Sequence, residues 1–124
     1  MLGSNPVHVV LLSKDLKASR AFYADKLGLP VQDESESAIT YTSGGGVFVV
    51  TASTVGTKDE QTQAAWEVAD LRAELDELAT KGVKPEEYDN DEITTVDGIA
   101  DQGEVFVAWI TDPDGNVLGI EQKK

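Results

Sequence analysis

The sequence predicts an α+β fold of two tandem βαβββ modules, a curled mixed sheet around a concave cleft. Three observations predict it. The stretch Val7 to Gly28 reads as an aliphatic strand, an Asp15 N-cap, a helix and a Gly28 stop. The same grammar returns from Ala64, with Asp70 as cap and Gly82 as stop. Each unit is then followed by further strand-like runs. A chain of 124 residues supports one domain with a core but not two independent ones, so the halves must share it. The domain spans residues 1–124, with module one at about 6–53 and module two at about 62–122.

Asn5-Pro6 ends a short lead, and strand one runs from Val7 to Leu12. The helix follows from Leu16 to Leu27, with Leu16, Phe22, Tyr23 and Leu27 on one broad face. Pro30 suits the start of a short edge strand. Ser37 to Thr42 alternates, with Ala38, Thr40 and Thr42 on one side and Ile39 and Tyr41 on the other. Gly44 to Gly46 is read as a hairpin turn before the strand Val47 to Val50. A phosphate cradle is disfavoured there, because no helix follows and no lysine is suitably placed.

Ser53 to Gln61 reads as the linker. The second module opens with a strand from Gln63 to Val68 and a helix from Leu71 to Lys81. Leu71, Leu75 and Leu78 recur at helical spacing. Lys84 to Tyr88 is expected as a charged edge strand, and Asp89 to Gly103 as a long irregular loop. Val105 to Ile110 and Val117 to Glu121 are strands joined by the tight turn Asp112 to Asn116.

Composition narrows function. The net charge is −13, of which eleven units lie after Thr62. Such an acidic protein repels phosphate backbones and attracts cations, so no nucleic-acid partner is expected. No apolar run is long enough to span a bilayer, the N-terminus carries no signal pattern, and no membrane role is expected. With no cysteine there are no disulfides, thiolate nucleophiles or cysteine ligands. The expected location is cytoplasmic.

Candidate site residues follow from type and position. His8 is the only histidine, able to act as an acid–base group or a ligand-orienting donor. Trp66 and Trp109 lie on central strands and can stack on a flat ligand. Glu67 alternates with Trp66, so one of the two faces the cleft; a glutamate beneath a helix is costly, which favours Glu67. Tyr41 and Tyr88 are candidate wall residues, while Glu86 and Glu87 read as solvated.

Several of these words occur together in a known order: His8 with Asp15, Phe22-Tyr23 with Leu27-Gly28-Leu29, Trp66-Glu67-Val68 with Asp70-Leu71, Gly82-Val83, and Asp112-Pro113-Asp114-Gly115-Asn116. Over almost its whole length the chain resembles the vicinal oxygen chelate superfamily, which groups glyoxalases, bleomycin resistance proteins and extradiol dioxygenases. Glu86 to Asp89 and Thr95 to Ala100 also resemble a small bacterial subgroup with a lengthened loop in the second module. The resemblance implies a homodimer, and in metal-using members a ligand from the first and last strand of each module. The matching positions are His8, Gln63, Gly119 and about Val49. Only the first is a good ligand, so no metal is expected. The alternative is a divalent cation (Zn, Ni, Mn or Fe) on a shifted set of His8, Gln63 and Glu121. The expected function is binding of a small cationic or aromatic molecule by His8, Tyr41, Gln63, Trp66, Glu67 and Trp109. The alternatives are a divalent-metal-dependent lyase, isomerase or dioxygenase, and an interaction module without a small ligand.

Overall fold

The computed structural model describes residues 1–57 and 60–124. The chain divides into two compact units, Met1–Lys58 and Asp59–Lys124. The expected linker includes Lys58 and Asp59, which lie outside the described residues.

In the first unit β1 (Val9–Ser13) leads to α1 (Leu16–Arg20), then to β2 (Val31–Glu34), β3 (Ala38–Ser43) and β4 (Gly46–Ala52). The sheet order is β1-β4-β3-β2, with β1 parallel to β4 and the other pairs antiparallel. Asp15 caps α1 by accepting from the Ala18 N–H at 3.1 Å, satisfying one of the amides a helix start leaves open. The expected single helix is not uniform. Beyond Arg20 the chain widens into a π-helical segment, Ala21–Lys26, closed by the Leu27 N–H on the Phe22 carbonyl. Gly28, at φ +76°, supplies the left-handed residue that ends it.

α1 packs on β3 and β4. The covered face presents Leu11, Ile39, Tyr41, Phe48 and Val50, all buried. Tyr23 rests its ring 5.1 Å from that of Phe48 and 5.8 Å from that of Tyr41. Gly44 and Gly45, at φ +55° and +84°, form the expected two-residue hairpin turn.

The second unit has β5 (Thr62–Glu67), α2 (Leu71–Thr80), β6 (Thr95–Val96), β7 (Ile99–Asp101), β8 (Val105–Thr111) and β9 (Val117–Lys123). Its order is β5-β9-β8-β7-β6, with β5 parallel to β9. The first four places repeat the pattern of unit one, and β6 is added at the edge. Asp70 caps α2 through the Ala73 N–H at 3.0 Å. At the other end the Val83 N–H reaches the Leu78 carbonyl and the Gly82 N–H reaches that of Ala79. This is a Schellman closure with Gly82 at φ +79°. Leu71, Leu75 and Leu78 are buried beneath the helix.

Two expectations are corrected here. Lys84 to Tyr88 does not form a strand; it meets the sheet at single points, the Glu86 N–H on the Trp109 carbonyl at 2.7 Å and the Thr95 N–H on the Tyr88 carbonyl at 2.9 Å. The outer pair of strands instead comes from inside the stretch expected to be irregular. Asp97 and Gly98 both take positive φ (+52° and +84°), the turn that matches the twist of a two-residue hairpin, so β6 and β7 pair across it. Pro85 packs against Gly98 so closely that a Cβ there would collide with its ring. Arg72 Nη1 donates to the Asp97 carbonyl at 2.9 Å, tying the turn to α2.

Candidate functional site

Strand alternation gives each sheet one face beneath its helix and one that the helix leaves uncovered. In unit one, Val10, Val49 and Thr40 share a rung on the uncovered side, next to the Leu12, Thr51 and Ala38 rung. Val10 is 52% exposed there. His8 lies one residue before β1 and is exposed. Tyr41 is not on this face. It is fully buried among the Tyr23 and Phe48 rings, because the odd-numbered residues of β3 point to α1. Alternation had separated the two sides of β3 without saying which side the helix would cover.

The uncovered face of unit two holds the richer chemistry. Its middle rung is Ala65, Gly119 and Trp109. One rung away lie Glu67, Glu121 and Val107, and on the other side Thr62, Val117 and Thr111. Trp66 belongs to the opposite face, in register with Ile120 and Ala108 beneath α2. Ala64 and Trp66 of β5 point to the helix side, so Glu67 takes the uncovered side and Trp66 does not. The Glu67 carboxylate lies 3.4 Å from Lys123 Nζ, an exposed pair worth little. Glu121, directly opposite Glu67, has no ion pair among the described residues.

Trp109 is held by two contacts from two different elements. Its indole N–H donates to Thr62 Oγ1 at 3.1 Å. The Tyr88 ring stands perpendicular to it with centroids 5.5 Å apart. The segment carrying Tyr88 is itself anchored. Thr111 donates to Glu86 Oε1 at 3.0 Å, the Tyr88 N–H donates to Thr95 Oγ1 at 2.9 Å, and the Thr95 hydroxyl donates to Glu87 Oε2 at 2.6 Å. Glu86 and Glu87, expected to be merely solvated, therefore fix the loop. Burial pushes the Tyr88 phenol above its ordinary pKa, and the nearby Glu86 and Glu60 charges add to this.

Thr62 was not among the expected site residues. A bulge between Thr62 and Ala64 makes Gln63 the extra residue of β5 and brings Thr62 beside Gly119 and Trp109. No local sequence signal marks that bulge.

The positions that would carry a divalent cation do not fit one. Gln63 offers a neutral amide from a bulge, and Val49 offers hydrocarbon. Gly119 has no side chain to ligate with, and a Cβ there would sit tightly against Thr62 Cγ2 at 3.3 Å and Ala65 Cβ at 3.4 Å. Among the described residues no three His, Cys, Asp or Glu side chains converge on one point.

Comparison with known proteins agrees with this architecture. The model of the glyoxalase/bleomycin resistance protein/dioxygenase superfamily matches residues 5–120. No curated protein matches the sequence significantly. Among solved structures, the bleomycin-binding protein of Streptomyces verticillus, complexed with copper(II)-bleomycin, superposes with a TM-score of 0.75 at 20% identity, over 97% of each chain. A glyoxalase/bleomycin resistance protein/dioxygenase of Alicyclobacillus acidocaldarius gives 0.74 at 16% identity, over 96% of this chain and 91% of that one. Lactoylglutathione lyase of Agrobacterium tumefaciens gives 0.67 at 18% identity, over 96% and 93%. At such identities the structural likeness establishes the fold, and the family model establishes descent. The chain belongs to the glyoxalase/bleomycin resistance protein/dioxygenase superfamily.

Proposed function

We propose that this protein binds a small aromatic or cationic molecule on the uncovered sheet faces of its modules, without a resident catalytic metal. The observation that carries this reading is the middle rung of unit two. Where metal-using relatives would place a ligating side chain there is Gly119, and beside it stands the indole of Trp109. Glu121 and Glu67 lie one rung away, close enough for long side chains to act on the same ligand. An aromatic face beside carboxylates suits a flat cation through stacking and cation–π attraction. The bleomycin complex of the Streptomyces verticillus protein supports a ligand of that general kind. In this reading His8 and Gln63 are orienting polar groups, the protein is cytoplasmic, and it works as a homodimer. Among the described residues no helix is long and apolar enough to cross a membrane.

The test uses a Trp66→Phe background, which leaves Trp109 as the only tryptophan. Titration with N-methylacridinium should quench its emission saturably, and an anthracene sulfonate should bind more weakly. Equal binding of the two dyes would remove the electrostatic part of the reading; no binding of either would remove it altogether. The exposed His8 imidazole favours a second reading, a divalent-metal-dependent lyase, isomerase or dioxygenase. That reading needs Gln63 and Glu121 as further ligands, and of these only Glu121 is a carboxylate.

A further inference from the structure

We infer that Thr62, Gly119 and Tyr88 are positioning residues whose joint task is to fix the Trp109 indole as a rigid wall, and that this fixed ring sets the choice of ligand. The inference rests on the small-molecule-binding reading and adds which residues set its selectivity.

Gly119 sits directly between Ala65 and Trp109 on β9. Because it carries no side chain, the Thr62 methyl can settle where a Cβ would otherwise crowd it, 3.3 Å from the ideal Cβ position. That placement aims the Thr62 hydroxyl at the indole N–H. The other contact comes from Tyr88, on the hydrogen-bonded segment that also places the Glu86 N–H on the Trp109 carbonyl. Backbone, ring and indole nitrogen of Trp109 are thus each held by a different group. A tryptophan held in this way loses little further rotamer freedom when a ligand stacks on it, so more of the stacking energy appears as affinity. A loose indole would accept many shapes weakly; a fixed one favours flat rings that match its orientation.

The test keeps the Trp66→Phe background and compares Thr62→Val, which preserves shape but loses the hydroxyl, with Thr62→Ser, which retains it. Tyr88→Ala and Tyr88→Phe form a second pair. Readouts are N-methylacridinium affinity, the time-resolved anisotropy of Trp109, and the thermal midpoint. Losing one neutral hydrogen bond corresponds to about three- to ten-fold in affinity. Thr62→Val and Tyr88→Ala are expected to weaken dye binding by about that factor and to add a fast local component to the anisotropy decay. Thr62→Ser and Tyr88→Phe should restore both readouts. A merely structural role would lower the midpoint without this split. If Thr62→Val and Tyr88→Ala bind as tightly as the background with unchanged anisotropy, the positioning inference is overturned while the binding function stands. If the background itself does not bind the dye, both fall together.

Discussion

Replacing Gly98 by alanine should destabilise the second unit much more than replacing Gly82, although both glycines have nearly the same backbone conformation. Gly98 has φ +84° and Gly82 has φ +79°. Each alanine therefore carries the left-handed penalty of about 1–2 kcal/mol. Nothing lies within 4 Å of a Cβ at Gly82, so its variant should lose only that. At Gly98 the new methyl collides with Pro85, whose Cβ is 2.8 Å away and whose Cγ is nearer still. Proline cannot rotate aside as a flexible chain would, so an overpacking cost of about 1–3 kcal/mol is added. The total is about 2–5 kcal/mol for Gly98→Ala. Urea unfolding followed by circular dichroism measures both variants. With a slope of about 1–3 kcal/mol per molar urea, the midpoints should separate by about 0.3 M or more. The same variant should also alter Trp109 emission, because Pro85 leads into the segment that holds Tyr88. Equal midpoints for Gly98→Ala and Gly82→Ala would mean that Pro85 is not clamped on the hairpin. The anchoring of the segment carrying Tyr88 through Pro85 to the β6–β7 turn would then be refuted.

Other outcomes follow from the same contacts. Leu75→Ala empties a position only 1% exposed under α2 and should cost about 2–5 kcal/mol by the same urea assay. Asp70→Ala removes the acceptor for the Ala73 N–H and should cost about 1 kcal/mol, with Asp70→Asn retaining most of the stability. Burial raises the Tyr41 phenol above its ordinary value, only partly offset by the Arg20 charge and the nearby Ser19 hydroxyl, while Glu34 and Asp25 add to the rise. The folded protein thus holds this proton more tightly than the unfolded chain. The resulting stability is fully present below the unfolded value of about 10 and is lost as pH rises through the higher folded one. Ultraviolet titration should show Tyr41 ionising together with alkaline unfolding. In Tyr41→Phe that step should vanish at neutral-pH stability within about 1 kcal/mol of the original, since among the described residues no group lies in hydrogen-bond geometry to the phenol oxygen, with the Ser19 hydroxyl at most a weak neighbour.

The framework of the fold is legible because its punctuation is local. Asp15 and Asp70 announce helix starts, and Gly28 and Gly82 announce their ends, through chemistry confined to a few residues. The π-helical segment after Arg20 is not legible, since Phe22 and Tyr23 read equally well as one face of an α-helix. The β6–β7 hairpin had a signal, Asp97-Gly98 between Val96 and Ile99, submerged in a long acidic run. The site was half legible. Period two placed Trp66 and Glu67 on opposite faces, and desolvation cost pointed Glu67 outward. It could not say which side of β3 the helix covers, so Tyr41 was misplaced. Nor could it foresee the bulge that substitutes Thr62 for Gln63 beside Trp109. Faces follow from local alternation, but coverage and register depend on tertiary pairing.

Binding without a resident metal is the central claim, and elemental analysis combined with a binding titration tests it most directly. Protein purified without a histidine tag should carry no stoichiometric zinc, nickel, manganese or iron. Its affinity for N-methylacridinium should be the same before and after chelator treatment, and His8→Ala should not change its metal content. Near-stoichiometric metal that disappears in His8→Ala, with dye binding or a lyase, isomerase or dioxygenase activity lost alongside it, would contradict the account and make Gln63 and Glu121 the next ligands to test.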